Sequence, residues 1–149
     1  MSLPPATAPH GRLIKRKLTI RPAFHETDMA GVIHNSVYFL WFEQGRLEIM
    51  QELLSVAEAM RLGIFTPVIE NYCEYRRPAR FGQSLLLITT HRVQTSYQGR
   101  LEFNHYLIQE RQPAAIATGR TSITLVEAKS HRLIKDWDPE VWRRYQSIP

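Results

Sequence analysis

The chain contains a single cysteine, Cys73, among 149 residues. One thiol excludes an internal disulfide framework and a cysteine-ligated zinc site, and it fits a reducing compartment. Long apolar runs are also missing. None approaches the roughly 20 residues needed to span a bilayer. The opening stretch, MSLPPATAPHGR, has no apolar core, so residues 1–12 read as a disordered Pro/Ala tail rather than a secretory leader. These absences lead to the expectation of a cytoplasmic protein that does not enter a membrane. Neither sign of charge dominates: 19 Lys and Arg against 14 Asp and Glu leave +5. That excess suits a solubilising surface, or an anionic partner such as nucleic acid, an acidic membrane surface or a small anionic ligand.

Several catalytic signatures are absent as well. There is no G-x-S-x-G elbow, no phosphate-cradling P-loop and no dinucleotide fingerprint. His25, Glu26 and Asp28 lie close together, but His34 is distant from them and no histidine pair has ligand spacing on a helix face. No metal site and no cofactor are therefore expected.

What is present is a sharply patterned globular chain. RLIKRKLTIRPAF alternates with one slip in phase and reads as a first strand over about Leu13 to Phe24. HETDMAGVIHN reads as a loop. SVYFLWFEQGRLEIMQELL reads as a helix from about Ser36 to Leu53. Tyr38, Trp41, Phe42, Gly45, Ile49 and Leu53 recur at helical spacing along one face, and Leu40, Leu47 and Leu54 widen the apolar girth. Gly45 in the middle costs such a helix about 1 kcal/mol against Ala. Close contact with a sheet would explain it. VAEAMRLG continues as a second helical piece that stops at Gly63.

From there the pattern turns to strands. One lies before Pro78, a second is SLLLITTHRVQT, and the turn SYQG leads to RLEFNHYLIQE. After RQPA comes AAIATGRTSITLVE, with Ala115, Ala117, Gly119, Thr121, Ile123 and Leu125 on one face and Arg120 and Thr124 on the other. DPEVWRRYQ has the form of a closing helix, with Asp138 at the N-cap and Pro139 at the first helical position. The order predicts an α+β domain over residues 13–149, one antiparallel sheet around one central helix. Its uncovered face and free edge predict a homodimer or homotetramer.

The chemistry gathers at the start of the long helix. Backbone N–H groups there are unsatisfied and carry partial positive charge, so they can hold a developing oxyanion. His34, Asn35 and Ser36 occupy that position, and Asp28 lies in the preceding loop. A carboxylate there can attack a carbonyl or deprotonate a water that does. The same residues also fit a plainer reading, in which Asp28 stabilises the loop and Asn35 or Ser36 merely caps the helix.

The stretch ETDMAGVIHNSVYFLWFEQGRLE resembles the hot-dog-fold acyl-CoA thioesterases of the 4-hydroxybenzoyl-CoA thioesterase type. Asp28, Gly31, Asn35, Tyr38, Glu43 and Arg46 occupy that family's pattern, and YRRPARFGQSLLL and ATGRTSITLV resemble its later segments. Gln83 departs from the acidic residue common there. The resemblance implies a hot-dog fold, an antiparallel five-stranded sheet wrapped around a long central helix. It implies hydrolysis of an acyl-CoA or acyl-carrier-protein thioester without a cofactor, coenzyme A being part of the substrate. Asp28 is then nucleophile or general base, and a backbone N–H at Asn35 or a neighbour is the oxyanion donor, with His34 beside it. Gly31, Tyr38, Arg80 and Arg100 are expected at the substrate, arginines suiting the phosphates of coenzyme A. Tyr38 also fits the core, Glu43 and Arg46 fit a structural i, i+3 pair, and His105 a structural or interfacial place. A non-catalytic acyl-CoA or RNA-binding module is the alternative. A nucleic-acid partner is not expected, because the aromatics concentrate in a helix whose pattern buries them.

Overall fold

The computed structural model describes residues 11–149. The elements in chain order are β1 (Leu13–Ile20), α1 (Val37–Leu53), α2 (Val56–Leu62), β2 (Ile64–Phe65), β3 (Val68–Tyr75), β4 (Leu85–Arg92), β5 (Leu101–Gln109), β6 (Gln112–Ile123), β7 (Val126–Glu127) and α3 (Pro139–Ser147). Five strands form one antiparallel sheet in the order β1-β4-β5-β6-β3. The long helix α1 lies across its inner face, as the alternation and helical spacing predict. The first ten residues of the expected tail lie outside the described residues. Gly11 and Arg12 do not belong to a tail: the Val93 N–H donates to the Arg12 carbonyl at 2.8 Å, and Arg92 Nη1 donates to Gly11 at 2.8 Å.

Period-two alternation sets the inner face. Leu85, Leu87, Thr89 and His91 of β4 and Leu101, Phe103, His105 and Leu107 of β5 are buried, with more exposed residues between them. The expected stripe of α1 is buried throughout, from Tyr38 to Leu53. Leu40 is exposed instead, while Leu54 is buried and Leu47 packs at the margin of the core. Each large apolar side chain taken out of water contributes about 1.5–3 kcal/mol.

Three boundaries differ from the sequence reading. β1 stops at Ile20 because Pro22 has no N–H to donate, and Phe24–Glu26 form a single 3-10 turn. β6 begins at Gln112, so RQPA is no separate loop. Gln109 pairs with Gln112 across a tight hairpin, followed by a register shift at Ile108. The two-stranded ribbon of β2 with β7 was not expected, its strands being two residues each. The closing helix starts as read: Asp138 Oδ1 accepts from the N–H groups of Glu140 at 2.9 Å and Val141 at 3.2 Å.

Helix and sheet meet where glycine permits. A Cβ on Gly45 would collide with Thr89 Oγ1 and lie 2.8 Å from Leu87 Cδ2. Gly119 of β6 does the same from the sheet side, facing the ring of Phe42. His105 stacks on Phe42 with ring centroids 4.5 Å apart, and its nitrogens lie 3.0 Å from Thr89 Oγ1 and 3.2 Å from Thr121 Oγ1. His105 is therefore a core residue. Burial, with the nearby Arg46 guanidinium adding repulsion, pushes its pKa down to about 3. His91, bonded to the Glu102 carbonyl at 2.7 Å and Tyr145 Oη at 2.9 Å, is also shifted down by burial.

Two expectations follow. Gly45→Leu overpacks the contact and should cost on the order of 1–3 kcal/mol or more in a chemical melt. Acid should also destabilise the fold through its buried imidazoles. Between the ordinary histidine value of 6.5 and about 3, the unfolded chain binds a proton at His105 that the folded chain refuses. Stability therefore falls as pH falls through that window, with a slope of up to about 1.4 kcal/mol per pH unit from this residue. Melts of His105→Asn should show a shallower acid slope than the parent protein.

Candidate active site

The loop between β1 and α1 is short, polar and tightly tied. The Asp28 N–H donates to the Val32 carbonyl at 2.8 Å, and the Gly31 N–H returns to the Asp28 carbonyl at 3.0 Å. Gly31 closes this turn at φ 72°, a left-handed conformation that favours glycine. The loop is pinned twice to its surroundings. The Ile33 N–H donates to the Ala79 carbonyl at 2.8 Å, and the His34 N–H donates to the Glu26 carbonyl at 2.9 Å.

Asp28 is exposed at the tip. Its Oδ1 accepts from the Ala30 N–H at 2.8 Å, and its other oxygen has no partner among the described residues. Glu26, the nearby carboxylate, is occupied differently: its Oε2 accepts from the Ala23 N–H at 2.7 Å. Asp28 is thus the carboxylate of this loop that remains open to a ligand.

The start of α1 has no side-chain cap. Ser36 already has helical angles, φ −68° and ψ −25°, and its hydroxyl bonds to His34 Nδ1 at 2.8 Å instead of to the helix. The Ser36 N–H reaches the same nitrogen at 3.2 Å, and the Val37 N–H donates to the His34 carbonyl at 3.0 Å. The Asn35 N–H has no acceptor among the described residues. The simple capping reading of Asn35 and Ser36 therefore does not hold. Open N–H groups at an uncapped helix start form a positive mouth suited to an oxyanion.

Asp28, His34, Asn35 and Tyr38 share one open depression of about 430 Å³ with Tyr75, Arg76 and Arg77. Tyr38 is buried, and its Oη accepts from the Ala79 N–H at 3.3 Å, joining α1 to the loop after β3. Burial raises its pKa and keeps the hydroxyl protonated. Its role is mainly in the core, with one edge at the site. Tyr75, at the end of β3, opens the YRRPARFGQSLLL segment of the family resemblance but was given no role at the site. Its Oη donates to the Asn35 carbonyl at 2.7 Å, and its ring meets Tyr38 edge-on at 4.9 Å. The available signal was its place, an aromatic at a strand end directly before Arg-Arg-Pro.

The remaining expected residues lie around or away from this depression. Gly31 shapes the turn, and its carbonyl accepts from Arg80 Nη1 at 3.4 Å, which places Arg80 behind the Asp28 turn. Arg77 is spent on the carbonyls of Ala114 and Ala115 and on Gln112. Arg100 is not brought to the site within one chain. It precedes Leu101, whereas the strand end near Tyr75 aligns with Leu107, six residues or about 20 Å further along β5. There it pairs with Glu70 at 3.3 Å. Glu43 and Arg46 form the expected pair at 3.5 Å. The burial expected of the aromatics holds for most of α1, and beyond it for Phe103 and Tyr145 but not for all the others. Phe24, Phe65, Phe81 and Tyr106 are exposed, and Phe24 meets Phe81 edge-on at 5.7 Å beside the loop. Among the described residues, no cluster of side chains has the make-up of a metal site, and no helix is long and apolar enough to cross a membrane.

Known proteins share this fold. The sequence profile of the thioesterase-like superfamily matches residues 22–144. A DHNA-CoA thioesterase from Staphylococcus aureus superposes with a TM-score of 0.77 at 23% identity, covering 88% of both chains. A 1,4-dihydroxy-2-naphthoyl-CoA thioesterase from Synechocystis gives 0.73 at 15% identity, over 89% of this chain and 95% of that one. A Bacillus subtilis protein, named as a candidate acyl-CoA thioesterase, is 26% identical over 76 residues, 50% of this chain and 54% of that protein. The structural likenesses establish the hot-dog fold, and the profile covers the loop, α1 and the whole sheet beyond them. The chain belongs to the thioesterase-like superfamily, hot-dog-fold enzymes that hydrolyse thioesters.

Proposed function

We propose that this chain hydrolyses an acyl-CoA thioester to the free acid and coenzyme A, with Asp28 at the reacting carbonyl. The observation that carries this reading is the open carboxylate of Asp28 in the same depression as an uncapped helix start. The Asn35 N–H, or a neighbour on the same turn, receives the carbonyl oxygen as it gains charge. Asp28 then acts in one of two ways. As nucleophile it adds to the carbonyl carbon, the thiolate leaves and takes a proton, and water cleaves the resulting anhydride. As general base it takes a proton from the water that adds, and the thiolate departs with a proton. Both routes consume one water and need no metal or other cofactor. Arg76 at the depression, paired with exposed Glu74 at 3.2 Å, and Arg80 beside the Asp28 turn favour an anionic carrier. Coenzyme A is the preferred carrier and an acyl-carrier protein the alternative. A cytoplasmic location belongs to the same proposal.

The reading includes a homodimer, or two such dimers. β3 is an edge strand whose Val68, Ile69, Tyr72 and Tyr75 are exposed. Beside it Arg46 is only 7% exposed, and its Nε and Nη1 have no partner among the described residues. Glu43 faces only Nη2, and buried donors left without acceptors are costly. A second copy pairing along β3 would cover the strip and offer acceptors near Arg46. Antiparallel pairing would also set the Val68 end of one copy against the Tyr75 end of the other, completing the wall of the site.

Two measurements test these points. Asp28→Asn should fold normally by circular dichroism yet lose about 10²–10⁴-fold in kcat with little change in KM, because the amide can neither attack nor take the proton. Turnover at the parent rate on the best acyl-CoA would refute the assignment. Light scattering at micromolar concentration should give at least twice the mass of one chain, and a monomer would overturn the assembly.

A further inference from the structure

We infer that Tyr75 is a positioning residue that locks the Asn35–Ser36 peptide so that its carbonyl oxygen is held away from the reacting thioester and the open Asn35 N–H keeps its place at the helix mouth. The inference rests on the proposed hydrolase site. Asn35 is the pivot of the helix mouth, and both peptides flanking it are held. On one side the His34 carbonyl accepts from the Val37 N–H at 3.0 Å. On the other, the Asn35 carbonyl accepts from Tyr75 Oη at 2.7 Å. The first bond is a local backbone turn immediately before the helix. The second comes from a strand 40 residues away in sequence and depends on one hydroxyl.

That hydroxyl is held in place from behind. The Tyr75 ring meets Tyr38 edge-on at 4.9 Å, and Tyr38 is buried and tied to Ala79. The Tyr75 ring therefore reaches the helix mouth against a fixed aromatic surface, although the residue is 44% exposed. Its pKa is pushed up to about 12, chiefly by burial of the phenol, so the group remains a donor throughout the neutral range.

The consequence follows from peptide geometry. Carbonyl and N–H point in opposite directions across one planar unit. Releasing the Asn35 carbonyl lets that unit turn, and turning brings its oxygen toward the position where the substrate oxygen becomes negative. The clash is electrostatic and grows as the transition state forms. It therefore falls on kcat and leaves substrate binding nearly untouched. Donation to the carbonyl also polarises the Ser36 N–H of the same peptide, strengthening its bond to His34 Nδ1.

Tyr75→Phe keeps the ring and removes only the hydroxyl. On the acyl-CoA that the parent cleaves best, kcat should fall about tenfold with KM within about twofold, as for loss of one hydrogen bond. 3-Fluorotyrosine at position 75 retains the donor and should retain the rate. Independently of turnover, amide hydrogen exchange at Ser36, whose N–H bonds to His34 Nδ1, should quicken in Tyr75→Phe while the core amides of α1 stay protected. A folded Tyr75→Phe with parent kcat and unchanged exchange at the Ser36 amide overturns the inference. If the parent shows no thioesterase activity on any acyl-CoA, the proposed function fails, and the exchange experiment still decides whether Tyr75 holds the peptide.

Discussion

The close approach of α1 to the sheet governs the rest of the molecule. It happens at Gly45 and Gly119, where a Cβ would strike Thr89 on one side and Phe42 on the other. With the helix pressed down there, Phe42 can stack on His105, and Tyr38, Trp41, Ile49 and Leu53 fill the space on either side. Packing at this density tolerates little displacement. The helix axis is consequently fixed by its middle, and its first turn emerges at one place beside the ends of β3 and the following loop.

That fixed emergence turns a structural element into a chemical one. The apolar girth of α1 excludes water behind the helix start, while the N–H groups at the mouth remain without a cap. Hydrogen bonds from Ile33 to Ala79, from Tyr38 to Ala79 and from Tyr75 to Asn35 bind the mouth to the β3–β4 connection. Asp28 stands at the tip of a turn closed by Gly31. The Asp28 carboxylate and the Asn35 backbone thereby line one depression framed by elements that cannot easily move. Preorganisation of this kind costs nothing at the moment of reaction.

The central helix was legible because its signal is redundant. Six residues on one stripe agree with a 3.6-residue period, and Gly45 marks the contact that the sheet later supplies. The strands of the sheet were legible from alternation, though their ends were not. Pro22 ended β1 earlier than its apolar residues suggested, and the hairpin at Gln109 and Gln112 absorbed what read as a loop. Asp28, His34 and Asn35 were found together because they are local in sequence. Tyr75 was given no role, and Arg100 lies away from the depression of its own chain, for one shared reason: which end of the sheet a residue occupies depends on strand register, and register joins positions far apart in the chain. The fate of each arginine was hidden likewise, since Arg77 and Arg100 are spent on partners that only folding brings near.

The central claim is that the uncapped mouth of α1 and the Asp28 turn together hold a thioester. The most direct test is a crystal structure of folded Asp28→Asn with an intact acyl-CoA bound. The account predicts the thioester oxygen about 3 Å from the Asn35 N–H or an adjoining one, with the residue-28 side chain against the carbonyl carbon. An acyl-CoA seated elsewhere, for instance in the separate cavity of about 450 Å³ lined by Leu54, Ile64, Ile134 and Val141, would contradict it.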